Sequence, residues 1–349
     1  MPKKSENRTP EIIDFIMSHP KCTSLEILEG LNLDMSVATL RRKLQSLVAA
    51  DLINAIGELK SRKYEISNGF EIIRPIDMNK YFEKEIDDRV IQDKFNSGLI
   101  NDTLQNISIF TNIELDHLKK LQETFTSNLS KLTRSEYKKE LERLAIDLSW
   151  KSSQIEGNTY SLLETERLLK DKETAAGKTK DEATMLLNHK DALDFIIGNP
   201  TYINPLTVSC IEDIHSILVN DLDISRNIRS RRVGISGTNY KPLDNAFQIK
   251  EALVSMCSLI NTKKNVFEKA LLSLVLISYI QPFSDGNKRT ARIISNAILM
   301  NHHFCPISFR TIDSIEYKKA MLVFYEQTNI NPFKNVFIGQ FEFAVDTYF

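Results

Sequence analysis

The stretch Tyr279-Ile-Gln-Pro-Phe-Ser-Asp-Gly-Asn-Lys-Arg-Thr-Ala-Arg292 gathers residue types that handle phosphate. An apolar run from Ala270 to Ile280 stops at Pro282, and the chain turns through Ser284-Asp285-Gly286-Asn287. A second helical pattern then starts with Lys288, Arg289 and Arg292. A helix N-terminus presents unpaired N–H groups and the positive end of the macrodipole, so it favours acidic side chains and bound anions. Cations in that first turn are out of place unless something negative completes the site. A plain helix corner leaves Lys288 and Arg289 unexplained, whereas a phosphate site accounts for them.

A second constellation lies upstream. From Glu136 to Trp150 the residues Leu141, Leu144, Ala145 and Leu148 make one helical stripe. The stripe runs into Lys151-Ser-Ser-Gln-Ile-Glu-Gly-Asn158, where Gly157 suits a helix stop and Ser161-x-x-Glu164 a capping box for the next helix. A helix stop explains Gly157 but not the combination Ser152-x-x-x-Glu156-Gly157.

The first stretch resembles the signature loop of the Fic (Fido) family, His-Pro-Phe-x-Asp/Glu-Gly-Asn-Gly/Lys-Arg-x-x-Arg. Pro282, Phe283, Asp285, Gly286, Asn287, Arg289 and Arg292 match, and Lys288 is a variant also found in the family. Gln281 stands where the family has its catalytic His. Ser152, Glu156 and Gly157 resemble the family's Ser/Thr-x-x-x-Glu-Gly/Asn inhibitory helix. The resemblance implies a Fic-type helical bundle over residues 115–349, with the inhibitory helix at about 136–158, and transfer of AMP from ATP to a Ser, Thr or Tyr hydroxyl on a protein. It implies Asp285 as the Mg²⁺ ligand, a hard oxygen donor, and phosphate cradled by the N–H groups of Gly286 to Arg289. Asn287, Arg289 and Arg292 would meet the α-, β- and γ-phosphates, with Phe283 as a core anchor. Glu156 would pair with Arg292 and keep ATP from binding productively.

The family His removes the proton of the attacking hydroxyl, a role that needs a group ionising near neutrality. A Gln amide cannot accept that proton. Two readings follow: an autoinhibited adenylyltransferase of low or unusual activity, or a base-less ATP-sensing regulator coupled to a DNA-binding module. Transfer of another phosphate-containing group, or phosphoryl transfer with the nucleotide reversed, are further options.

The elements that would position these residues are mainly helical. Few Gly and Pro (11 and 10 in 349 residues) favour long helices over a turn-rich β fold. Residues 1–70 form their own pattern: short helices over Pro10–Met17 and Ser24–Leu31, a striped helix over Ser36–Ala50 (Val37, Leu40, Leu44, Leu47), and two short strands around a polar tip between Ile56 and Ile66. That order resembles a winged helix-turn-helix. Arg41, Arg42 and Lys43 would lie on its recognition helix and Lys60, Arg62 and Lys63 in its wing, both places that meet phosphates of duplex DNA. A protein-interaction or dimerisation module fits equally well. Residues 71–114 read as a linker. Val233 and Ile235 alternate among Gly234, Gly237 and Asn239, which predicts a short β-hairpin. The resemblance makes that hairpin, at Gly237, Thr238, Asn239 and Tyr240, the flap that registers a target segment by strand addition; a solvated surface hairpin is the plainer account.

A formal net charge of −1 excludes a globally basic nucleic-acid coat, so any such contact is local. Cys22, Cys210, Cys257 and Cys305 lie far apart without metal-ligand spacing, which predicts reduced thiols. The start of the chain lacks a signal-peptide apolar region, and Ala270–Ile280 is about half of the roughly 20 residues a membrane span needs. A cytoplasmic protein with no membrane contact is expected; a homodimer is compatible with the sequence.

Overall fold

The computed structural model describes residues 8–49, 52–58 and 61–349. The chain divides into two compact units, Met1–Arg74 and Pro75–Phe349.

In the first unit, helices α1 (Thr9–Ser18), α2 (Ser24–Gly30) and α3 (Val37–Ala49) accompany a sheet of β1 (Cys22–Thr23), β2 (Ile53–Ile56) and β3 (Lys63–Ile66). The strands pair antiparallel in the order β1-β3-β2, with Cys22 opposite Tyr64 and Ile53 opposite Ile66. The core is what the periodicity requires: Ile12 and Ile16 from α1, Ile27 from α2, and Leu40, Leu44 and Leu47 from α3. Thr23 opens α2 with a capping box to Glu26. The two-residue β1 went unforeseen, because so short a strand has no period to detect. The expected wing residue Lys60, and Ala50 at the end of the predicted helix, lie outside the described residues. A short helix, α4 (Asn68–Ile73), closes the unit.

The second unit begins with α5 (Met78–Phe82), a 3₁₀ turn (Ile86–Asp88) and a π-turn (Leu99–Thr103) that leads into α6 (Leu104–Asn106). The bundle follows: α7 (Asn112–Leu129), α8 (Arg134–Ile155), α9 (Leu162–Asp171), α10 (Lys180–Gly198), α11 (Val208–Leu218), α12 (Ala246–Thr262), α13 (Val266–Ile280), α14 (Asn287–Asn301), α15 (Ser314–Gln327) and α16 (Asn331–Tyr348). Every residue of α13 from Ala270 to Ile280 is buried. An all-round apolar helix belongs in the middle of a bundle, and α13 packs against α12, α14, α15 and α16. Capping boxes at Thr111, Thr133, Ser161 and Thr179 fix where the surrounding helices start.

Two expectations change. Residues 75–114, expected to be linker, belong to the larger unit. Tyr81 and Arg89 bond Glu326, and the Asn96 N–H donates to Tyr279 Oη. Charge density made the segment look solvated, but its polar groups find partners on the bundle. The predicted hairpin at 233–240 is also absent as a ladder: the segment turns at Ser236–Gly237 and belongs to no strand pair among the described residues. Its alternation was real, but its backbone is held by side chains and by residues 87–94 instead.

Candidate nucleotide site

Pro282 ends α13, and the turn that follows is built from its own polar groups. Gln281 takes the left-handed conformation (φ 51°) at the helix C-terminus. The Phe283 N–H donates to Asn287 Oδ1 (2.8 Å), and Asn287 Nδ2 donates to Phe283 O (2.8 Å) and Gln281 Oε1 (2.9 Å). Gln281 Nε2 donates to Ser278 O (2.7 Å). The Gln281 amide is therefore engaged at both ends. Gly286 (φ 79°) is required by conformation, because a side chain there would be strained even with its nearest neighbours at ordinary contact distance. His215 packs beneath this loop: its ring stacks on Phe283 (3.6 Å between centroids, 5° apart) and its Nε2 lies 3.0 Å from Asp285 O. Burial pushes the His215 pKa down to about 4, so the imidazole is neutral and donates from Nε2. Arg229 braces the other side, its guanidinium donating to Gln281 O (2.6 Å) and Arg231 O (2.8 Å).

α8 delivers the acidic partner. Glu156 Oε1 lies 3.0 Å from Arg292 Nη2, and its Oε2 lies 3.4 Å from Lys288 Nζ. Ser152 accepts from the same guanidinium, through its hydroxyl (2.8 Å to Nε) and its carbonyl (2.9 Å to Nη2). Burial pushes the Glu156 carboxyl up, but Arg292, Lys288 and Arg289 outweigh it and hold it below the usual carboxylate range. Gly157 follows with φ 101°, the positive-φ stop that lets α8 end with Glu156 against α14.

These residues border a cleft of about 340 Å³, walled by Glu156, by Val233 to Ser236, by Gln281, Ser284, Asp285, Asn287 and Lys288, and by Lys318, Met321, Leu322 and Tyr325 of α15. The structure thus brings together the expected Gln281, Asp285, Asn287, Lys288 and Glu156. Arg289 and Arg292, expected at phosphates, are fully buried and do not line the cleft. Glu156 and Ser152 hold Arg292, and Arg289 turns toward Asp285 (3.8 Å) and Leu218 O. Arg292 also lies over the Tyr317 ring (5.3 Å), whereas Arg289 Nε has no hydrogen-bond partner among the described residues. A buried donor left unpaired in this way costs about 1–3 kcal/mol.

The expected flap residues shift as well. Val233, Gly234, Ile235 and Ser236 face the cleft, whereas Tyr240 is buried, donating to Tyr279 O (3.0 Å) and stacking on Tyr279 and Tyr325. Gly237 and Asn239 serve as anchors through Arg89 and Asp87, and the Thr238 hydroxyl accepts from the Tyr240 N–H. Sequence reasoning missed His215, Arg229 and the α15 wall. Their partners are backbone carbonyls and ring faces distant in the chain, and an apolar helical stripe such as Met321–Tyr325 reads as core.

Residues 205–299 match the family model of the Fic/DOC family. The chain carries a Fic/DOC domain. Curated relatives include Protein adenylyltransferase Fic of Nematostella vectensis, 31% identical over 207 residues (56% of this chain and 47% of that protein). Protein adenylyltransferase Fic of Aedes aegypti is 27% identical over 201 residues, 56% of this chain and 40% of that protein. The chain thus spans about half or less of the length of these relatives. Among solved structures, Fic-1 of C. elegans superposes with a TM-score of 0.58 at 20% identity, over 68% of this chain and 71% of that one. A Fic-domain-containing signaling protein of Bacteroides thetaiotaomicron gives a TM-score of 0.58 at 22% identity, over 66% and 94%. These likenesses show the fold, and the Fic match takes in the whole loop from Gln281 to Arg292.

In the first unit, Arg41 lines a cleft of about 310 Å³ with Arg62, Gln45, Ser24 and Tyr64. Arg42 is exposed and Lys43 half-buried, and neither lines it.

Proposed function

We propose that this protein is a Fic-type adenylyltransferase, autoinhibited by Glu156, that moves AMP from ATP to a Ser, Thr or Tyr hydroxyl of a protein. The observation that carries the reading is the Arg292 guanidinium of α14, fully buried over the Tyr317 ring and paired with Glu156 at the wall of the cleft. An anion is already in place there, contributed by α8, and a phosphate would take the same charge. The site's donors fit ATP with Mg²⁺. The first-turn N–H groups of Asn287, Lys288 and Arg289 are available to phosphate, and the exposed carboxylate of Asp285 is a suitable oxygen ligand. Among the described residues no group of three or more His, Cys, Asp and Glu side chains forms a metal cage, so Asp285 would share the ion with phosphate and water. Bound ATP would supply the AMP group, with pyrophosphate as the leaving group. Val233 to Ser236 would align the acceptor segment, with Gly237 to Tyr240 anchoring them.

The test uses labelled ATP and Mg²⁺ on four proteins: the unaltered protein, Glu156→Gly, Gln281→His, and both together. Restoring a positioned base is expected to raise labelling by about 10²–10⁴, most strongly when Glu156 is also removed. A double variant that stays silent toward itself and lysate proteins removes the AMP-transfer reading.

The engaged Gln281 amide favours a second reading. A site without a base that binds ATP would act as a sensor, with the N-terminal unit meeting duplex DNA as a winged helix. Calorimetry decides whether either survives: no ATP binding in Glu156→Gly sinks both.

A further inference from the structure

The segment that opens the larger unit does more than connect. Residues 81–96 lie as a strap on the bundle, and Arg89 is its centre. Both oxygens of Glu326 accept from Arg89 Nη1 (3.1 Å each), and the two side chains are 4% and 0% exposed. The remaining arm, Nη2, donates to Gly237 O (3.0 Å). Neighbouring bonds follow the same path. Tyr81 Oη donates to Glu326 (2.6 Å), Asn239 Nδ2 to Asp87 (2.9 Å), the Gln92 N–H to Glu326 O (2.8 Å), and the Lys241 N–H to Asp93 O (2.9 Å). Phe95 stacks on Tyr279 (5.0 Å).

The points the strap grips are next to the cleft in sequence and in space. Glu326 follows Tyr325, a wall residue; Gly237 follows Ser236, another; Tyr279 lies two residues before Gln281. Because residues 233–236 have no strand partner among the described residues, no ladder there holds that wall against α15. A rigid guanidinium fork, presenting five donors in fixed geometry, can fix two bodies at once. We propose that Arg89 is a positioning residue: through Glu326 and the Gly237 carbonyl it sets the distance between the 233–236 wall and α15, and so the width of the acceptor side of the cleft. The phosphate side is untouched by it. The inference rests on the reading of 233–236 as the acceptor wall, and its test does not depend on AMP transfer.

Hydrogen exchange on the full chain reads it directly. In Arg89→Ala, the Tyr240 and Lys241 amides, the segment's hydrogen-bonded N–H groups, are expected to exchange at least tenfold faster, while those of α14 and the ATP affinity of a Glu156→Gly background stay within twofold. Arg89→Lys keeps the charge beside Glu326 but loses the fork, and is expected to fall between. It also carries the test if Arg89→Ala does not fold. Unchanged exchange at Tyr240 and Lys241, or an equal rise in α14, overturns the proposal. In the Glu156→Gly, Gln281→His background Arg89→Ala should lower labelling tenfold at unchanged ATP affinity, and labelling that persists at full rate also overturns it. If that background is itself silent, the AMP reading falls, and the exchange result still decides on Arg89.

Discussion

Gln281 and Glu156 govern the site from opposite sides. Gln281 closes a ring of amide bonds with Ser278 and Asn287. Gln281→Ala should therefore loosen Asn287 and lower ATP affinity several-fold by calorimetry in a Glu156→Gly background, whereas a Gln that only fills space would leave it unchanged. Glu156 titrates below the ordinary carboxylate range. A group whose folded pKa is depressed gives stability that is full above its unfolded pKa and is lost as pH falls through the folded one. The Glu156–Arg292 pair is thus intact at neutrality, and ATP affinity should show no Glu156-linked change between about pH 6 and 8. His215 works in the same direction, over a higher pH range. Its folded pKa of about 4 lies below the usual 6.5, so the unfolded chain takes up the proton first and stability falls as pH drops from 6.5 toward 4. His215→Phe keeps the ring against Phe283 and should remove part of this acid loss, at most roughly 3 kcal/mol, measured by denaturant unfolding at pH 7 and pH 4.5.

At the scale of the element, α8 ends where it must for Glu156 to meet α14. Gly157 sits at φ 101° with nothing within 4 Å of a would-be Cβ, so the obstacle to a side chain is backbone strain and not space. Gly157→Ala should cost about 1 kcal/mol in unfolding free energy. It should also weaken the Glu156–Arg292 pair, seen as tighter ATP binding. An alanine that leaves both unchanged would show that the helix end is set elsewhere. The 233–240 segment teaches the complementary lesson. Its alternation foretold a hairpin, but a ladder needs a partner edge, and the segment has none among the described residues. The polar side chains Arg89 and Asp87 satisfy the segment instead.

For the molecule as a whole, two units stand in one chain, and among the described residues no helix is long and apolar enough to cross a membrane. If the N-terminal unit binds duplex DNA, Arg41→Ala should weaken binding and reduce the salt slope by about one, and Arg62→Ala should do likewise. Both line the same cleft. Arg42→Ala and Lys43→Ala should matter less. Binding that ignores salt would end the proposal.

The sequence by itself determined the helical bundle, the starts of its capped helices and the Fic-type loop, because caps, apolar period and a contiguous motif are local properties. It also brought Glu156 and Arg292 into one hypothesis through two recognisable motifs, and the structure joins them at 3.0 Å. Only the tertiary structure decided that the Gln281 amide is spent at both ends, that Arg289 and Arg292 are buried away from the cleft, and that His215, Arg229 and Arg89 hold the loop and its wall. Each of those facts depends on a carbonyl, a ring face or a carboxylate brought close from a distant part of the chain. Residue type and spacing carry no record of such a partner until the chain is folded.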